Sequence, residues 1–111
     1  ANHADEINID AQMALHQLRE TGWTLLNQAV LLKGVNDSIA AQVRLAERCM
    51  EVGGLPYYLH VLDRVRGSGH LFVADSKAID LMHSIREQLP GYLVPRLVRE
   101  SQGAPYKVPI L

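Results

Sequence analysis

The alternation of hydrophobic and polar positions predicts helices that alternate with strands. Over residues 5–21, apolar residues recur at helical spacing, and Gly22 supplies a stop. A continuous apolar run over residues 23–32 predicts a strand, and its lack of alternation favours a parallel strand covered on both faces. Only Asn27 and Gln28 interrupt the middle of this run. The first third of the chain therefore predicts a helix followed by a buried strand.

The same alternation continues to the end of the chain. A second helix is predicted with an N-cap at Asn36, Asp37 or Ser38, and it ends at Gly53 and Gly54. The apolar face predicted for this helix consists of Ile39, Val43, Ala46 and Met50. Residues 55–63 predict a second strand, a helix capped by Asp75 or Ser76 follows, and residues 92–100 predict a third strand. A loop with glycine and proline then leads to Lys107.

Alternating helices and strands with short connections predict an α/β fold with parallel strands. Three strands are few for a free-standing parallel sheet, and the first helix has no strand before it. We therefore expect residues 1–111 to be a truncated portion of a larger α/β barrel or sheet, with residues 100–111 forming a terminal loop. Open sheet edges and an uncovered apolar face predict self-association.

Composition narrows the class of protein. The 111 residues are 48% hydrophobic, which is enough for the core of one domain, and the net charge of -1 gives no basis for a nucleic-acid partner. Apolar stretches have the length of strands, so no membrane association is expected. The single cysteine, Cys49, excludes an internal disulfide and is typical of a cytoplasmic protein. We interpret it as a small apolar residue on a buried helix face.

Polar residues at strand positions and strand ends are the candidates for chemistry. Asn27 and Gln28 must find hydrogen-bond partners, which are either a ligand or simply the backbone and neighbouring strands. Asp63 ends the second strand, where a carboxylate can hold a cation or cap the following loop. Lys107 lies in a loop after the third strand, where a lysine is either a carbonyl nucleophile or a solvated surface group. Histidines lack a second ligand at metal-binding spacing, so no metal site is predicted.

An ordered set of motifs covers essentially the whole chain and resembles the lysine 2,3-aminomutase family of radical S-adenosylmethionine (SAM) enzymes, in its carboxyl-terminal half. The motifs are Asn2-His3, Glu6-Ile7, Leu26-Asn-Gln-Ala-Val-Leu-Leu-Lys-Gly-Val-Asn-Asp37, Pro56-Tyr-Tyr-Leu-His-Val-Leu-Asp63, Gly91-Tyr-Leu-Val-Pro95 and Lys107-Val-Pro109. The sequence around Asp63 and the segment from Arg99 to Lys107 look most similar to the branch that makes (R)-β-lysine for elongation factor P.

The resemblance implies an isomerase that converts L-lysine to β-lysine by radical migration of the amino group. Such an enzyme holds pyridoxal 5′-phosphate (PLP), SAM and a [4Fe-4S] cluster in a TIM-like partial (β/α) barrel. The cofactors carry the difficult chemistry. The implied substrate is lysine, and the implied functional link is to elongation factor P.

The resemblance also assigns roles to individual residues. Lys107 matches the lysine that binds PLP as a Schiff base, and Asp63 matches a carboxylate that binds the ε-ammonium group of the substrate. Glu100, seven residues before Lys107, stands where the family has an aspartate with the same task. Gln28 matches a glutamine that lies against SAM, and Asn27 accompanies it.

The family's three-cysteine cluster motif has no counterpart in these residues, because Cys49 is alone. We therefore expect the cluster ligands to lie outside this segment and the 111 residues alone to be catalytically inactive. Two alternatives remain open: a non-catalytic α/β interaction module with a solvated Lys107 and with Asp63 turned toward Arg64 or Arg66, and an unrelated PLP enzyme that needs no iron or SAM.

Overall fold

A mostly parallel sheet of four strands organises the chain in the computed structural model, which describes residues 1–62, 69–99 and 106–111. The strands are β1 (Leu25–Leu31), β2 (Gly54–Val61), β3 (Arg96–Arg99) and β4 (Val108–Pro109), and they lie side by side in this order. β1, β2 and β3 run parallel, whereas β4 runs antiparallel to β3. The predicted α/β fold with parallel strands is therefore confirmed.

The helices are α1 (Ile9–Glu20), α2 (Ile39–Glu51) and α3 (Asp75–Gln88). Ser38 caps α2 as predicted, since its hydroxyl accepts a hydrogen bond from the backbone N–H of Ala41. Among the described residues, no helix is both long and apolar enough to cross a membrane.

The start of α3 differs from the prediction that Asp75 or Ser76 caps it. Its N-cap is Ala74, which makes no side-chain capping bond. The carboxylate of Asp75 instead accepts a hydrogen bond of 2.5 Å from the guanidinium group of Arg99 on β3. This ion pair joins the first turn of α3 to the carboxyl end of β3.

Strand register separates the residues of the sheet into two faces. Ala29, Leu59 and Leu97 are aligned across β1, β2 and β3, and all three are buried in the core. Their chain neighbours Gln28, Tyr58 and Arg96 are likewise aligned, and they point to the opposite face because side chains alternate along a strand. α2 and α3 contribute to the core on the first face, which we call the covered face.

The buried face of α2 is rotated relative to its predicted position. Its buried residues are Gln42, Leu45, Ala46 and Cys49, whereas Met50, which we expected on this face, is 48% exposed. Cys49 does occupy the predicted buried helix position.

The outer edge of β1 is held by side-chain amides. Asn36 is completely buried, accepts a hydrogen bond from the backbone N–H of Leu32 (2.8 Å), and donates to the backbone oxygens of Val30 (2.9 Å) and Asn2 (2.8 Å). The amide oxygen of Asn2 accepts from the N–H of Val30 (2.9 Å). These amides supply the hydrogen bonds that a further strand would otherwise make.

Three predictions about strands are corrected. β1 is not covered on both faces, since Leu26 is 50% exposed. The third strand is shorter than residues 92–100, because residues 91–93 form a 3-10 turn and Pro95 lacks the N–H that a strand would use. The region expected to be only a loop includes β4, whose Val108 pairs with Arg99.

Candidate functional site

Polar and aromatic side chains collect on the face of the sheet opposite the core helices. This open face consists of the two aligned rows Gln28, Tyr58, Arg96 and Val30, His60, Val98. Gln28 and Arg96 are exposed, and Tyr58 and His60 are half-buried. The parallel register of β1 and β2 brings these residues together although they are distant in sequence.

Gln28 and His60 are in direct contact across the first two strands. The Nε2 atom of His60 lies 3.1 Å from Oε1 of Gln28. Because Gln28 is aligned with Tyr58, His60 is its diagonal neighbour on the same face. The polar side chain in the middle of β1 is therefore engaged by the adjacent strand.

Tyr58 connects this pair to Lys107. The rings of Tyr58 and His60 meet edge to face, with centroids 5.8 Å apart. The Nζ atom of Lys107 lies 5.4 Å from the centroid of the Tyr58 ring, which is within the range of a cation–π interaction. Gln28, His60, Tyr58 and Lys107 thus form one contiguous group, which we call the open-face cluster.

Tyr57 lies beside this cluster at an irregularity in β2. The register shifts between Asn27 and Gln28, so that β2 carries one additional residue at this point. The Tyr57 and Tyr58 rings are 4.2 Å apart, and the pKa of the Tyr57 hydroxyl is raised, principally by a hydrogen bond with Tyr58. Tyr57 therefore stays in its neutral form over the physiological range.

β4 brings Lys107 to the sheet. Val108 pairs with Arg99, so the backbone of Lys107 is held at the carboxyl end of β3. Its side chain is half-buried rather than fully solvated.

Asn27 makes different hydrogen bonds from Gln28, although it precedes Gln28 directly. Its amide donates to the backbone oxygen of Ala1 (3.0 Å), and it lines a narrow crevice with Ala29 of β1 and Gln42 of α2. Asn27 and Gln28 thus have different surroundings, as consecutive positions of a strand normally do. Each amide also has a protein partner.

Two residues of the predicted site, Asp63 and Glu100, lie outside the described residues. The strands that lead to them can still be compared, because β2 and β3 are adjacent and parallel, with His60 aligned with Val98.

The described residues do not provide a metal centre. They contain no group of three His, Cys, Asp or Glu side chains that could hold a metal ion. Cys49 lies in the core, and burial raises the pKa of its thiol. These residues therefore do not fit an iron–sulfur cluster, whose ligands are thiolates.

Sequence reasoning did not identify Tyr58 as part of the site and considered the histidines only as metal ligands. The available signal was the two-residue period of β2, which puts Tyr58 and His60 on one face. The link to Gln28 depends on the register between strands, and the irregularity in β2 makes that register impossible to count from the sequence.

Comparison with known proteins gives matches along nearly the whole chain. It is 44% identical over 109 residues to L-lysine 2,3-aminomutase of Escherichia coli, covering 98% of this chain and 32% of that protein. It is 42% identical over 106 residues to the Haemophilus influenzae protein of the same name (96% and 31%), and 33% identical over 110 residues to that of Clostridium subterminale (99% and 26%). No family model matches the chain.

These matches agree with the ordered motifs that run from Asn2 to Pro109. The chain spans about a quarter to a third of the length of the curated relatives it matches. Over nearly its whole length, the chain therefore belongs to the lysine 2,3-aminomutase family.

Proposed function

We propose that this chain forms the part of a lysine 2,3-aminomutase that carries the PLP-binding lysine, in an enzyme that converts L-lysine to β-lysine. The observation that carries the proposal is the position of Lys107, whose amine reaches the open face beside Tyr58, in a chain up to 44% identical to L-lysine 2,3-aminomutases. The intact enzyme is then an intramolecular aminotransferase, and lysine is its small-molecule substrate.

The open-face cluster has the chemistry that PLP and SAM require. Lys107 supplies a primary amine for the aldehyde of PLP, and the Tyr58 ring beneath it offers an aromatic surface. Gln28 supplies an amide toward SAM, with Asn27 nearby on β1. When bound, these cofactors and an iron–sulfur cluster supply radical chemistry and hold the migrating amino group. We propose that the cluster ligands lie outside these 111 residues.

The chain's own residues are proposed to bind PLP and to orient the substrate lysine. Lys107 holds PLP at the rim of the sheet, where β4 fixes its backbone against β3. Asp63 and Glu100, which follow the adjacent strands β2 and β3, are proposed to bind the ε-ammonium group of lysine. Two carboxylates set against one ammonium give a charge-assisted recognition that selects lysine over neutral amino acids.

The proposed use of the β-lysine product rests on the sequence resemblance around Asp63 and Lys107. We propose that the β-lysine product is made for attachment to elongation factor P, in the cytoplasm.

The 111 residues alone are proposed to be inactive, so a SAM-cleavage assay on them should show no turnover. We also propose that the 111-residue chain self-associates, by pairing of sheet edges or by exchange of elements between chains. Sedimentation velocity should then show species larger than a monomer.

The central experiment is to mix the chain with PLP, reduce with borohydride and map the modified lysines by mass spectrometry. Lys107 should be labelled in preference to Lys33 and Lys77, which are internal controls of the same chemistry. Lys107→Arg should abolish the preferential label and leave the other two sites unchanged. Labelling spread evenly over all three lysines would contradict the proposed role of Lys107.

A further inference from the structure

Gln28 is exposed, yet its side-chain oxygen has a hydrogen-bond partner on the neighbouring strand. Fixing a long polar side chain costs conformational entropy, so an exposed glutamine normally remains free to rotate. Here Oε1 of Gln28 is engaged by Nε2 of His60 at 3.1 Å. The imidazole of His60 in turn packs edge to face against Tyr58, with an angle of 63° between the two ring planes.

The direction of this hydrogen bond follows from its atoms. An amide oxygen can only accept, so Nε2 of His60 must carry the hydrogen. The bond is compatible with the neutral Nε2–H tautomer and with the protonated ring. With its oxygen engaged, Gln28 has its amide N–H groups to offer to a ligand.

We propose that His60 is a positioning residue that fixes the orientation of Gln28, so that Gln28 acts toward the open face as a hydrogen-bond donor. The ligand atom that Gln28 meets is then an acceptor: a carboxylate, carbonyl or hydroxyl oxygen, or an unprotonated ring nitrogen. That this ligand is SAM rests on the proposed function, whereas the pairing of His60 with Gln28 rests on the geometry alone.

The test uses NMR on the isotopically labelled 111-residue chain. Imidazole nitrogen shifts, recorded above the pH at which the ring loses its proton, report the tautomer of His60, and side-chain amide resonances report the surroundings of Gln28. His16 and His83, which are exposed on α1 and α3, are internal controls for an imidazole in water. We expect His60 to be in the Nε2–H tautomer and the amide resonances of Gln28 to differ from those of exposed glutamines.

Two substitutions of His60 form a matched pair. In His60→Gln, an amide N–H stands at the same number of bonds from Cβ as Nε2, whereas in His60→Asn it is one bond shorter. We expect His60→Gln to preserve the distinctive Gln28 amide resonances and His60→Asn to move them to the positions of a solvated glutamine. A role in folding alone would not separate these two variants in that way.

The outcomes are decisive in each direction. A neutral His60 with its hydrogen on Nδ1 would overturn the proposal. This result holds even if every variant fails to fold, because the tautomer is measured on the native chain. Gln28 resonances unchanged in a folded His60→Asn variant would overturn it as well. Neither result would affect PLP labelling of Lys107, so failure of this proposal is distinguishable from failure of the proposed function.

Discussion

Residues that are neighbours along β1 and β2 meet opposite surroundings on the two faces of the sheet. On the covered face, Ala29 and Leu59 are almost completely buried among apolar side chains. On the open face, the adjacent positions carry Gln28 and His60, which contact each other and remain accessible. Stability and chemistry are thus assigned to opposite sides of the same strands, and substitutions at successive positions should separate the two.

The largest expected effect is on the covered face. Leu59→Ala removes a side chain that is 1% exposed, and it should lower the free energy of unfolding by about 2–5 kcal/mol through lost burial and a residual cavity. Urea denaturation followed by circular dichroism measures this change. Gln28→Ala, on the open face, is the matched control and should change stability by no more than about 0.5 kcal/mol. Equal losses in the two variants would break the comparison.

A buried polar group tests whether the outer edge of β1 depends on side-chain hydrogen bonds. Asn36→Ala should cost about 1–3 kcal/mol, because the backbone groups of Val30 and Leu32 lose their partners. Asn27→Ala, which removes a half-buried amide from β1, should cost less. Hydrogen exchange at the amide of Leu32 should also accelerate in Asn36→Ala. Unchanged protection there would show that the edge does not rely on this side chain.

A smaller effect is expected at the open-face cluster. Tyr58→Leu removes the ring beneath Lys107 and should cost about 0.5–1 kcal/mol, whereas Tyr58→Phe keeps the cation–π contact and should cost less. The ring is also the proposed aromatic surface for PLP, so the preference of PLP labelling for Lys107 should fall in Tyr58→Leu and persist in Tyr58→Phe. Loss of the preference in both variants would assign it to the hydroxyl group instead of the ring.

The smallest effect is a pH dependence from Cys49. Burial raises the pKa of this thiol above its ordinary value of 9.0, so the folded state favours the neutral form. Its contribution to stability is complete below 9.0 and is lost as the pH rises through the folded-state pKa. Stability measured at increasing alkaline pH should therefore fall more in the native chain than in Cys49→Ala. Identical pH profiles would place the thiol in contact with solvent.

Much of the fold could be predicted from local signals. Ser38 at the start of α2, the glycines after it and the apolar runs of β1 and β2 act within a few residues, so the sequence alone indicates these elements. The exact face of α2 was less certain, because Gln42 is buried through a hydrogen bond to the backbone oxygen of Asn36. A polar residue with such a partner cannot be distinguished from a solvated one by hydropathy.

The candidate site likewise combines residues that the sequence indicates with contacts that only the tertiary structure shows. Motif order marked Lys107 and Gln28 as important without placing them near each other. The sequence also determined that the chain has α/β character and one buried cysteine, because these depend on composition and periodicity. Only the tertiary structure decided that His60 meets Gln28, that Tyr58 lies under Lys107 and that β4 pairs with β3. These contacts depend on strand register and on an irregularity in β2, and neither is set by residues adjacent in the chain.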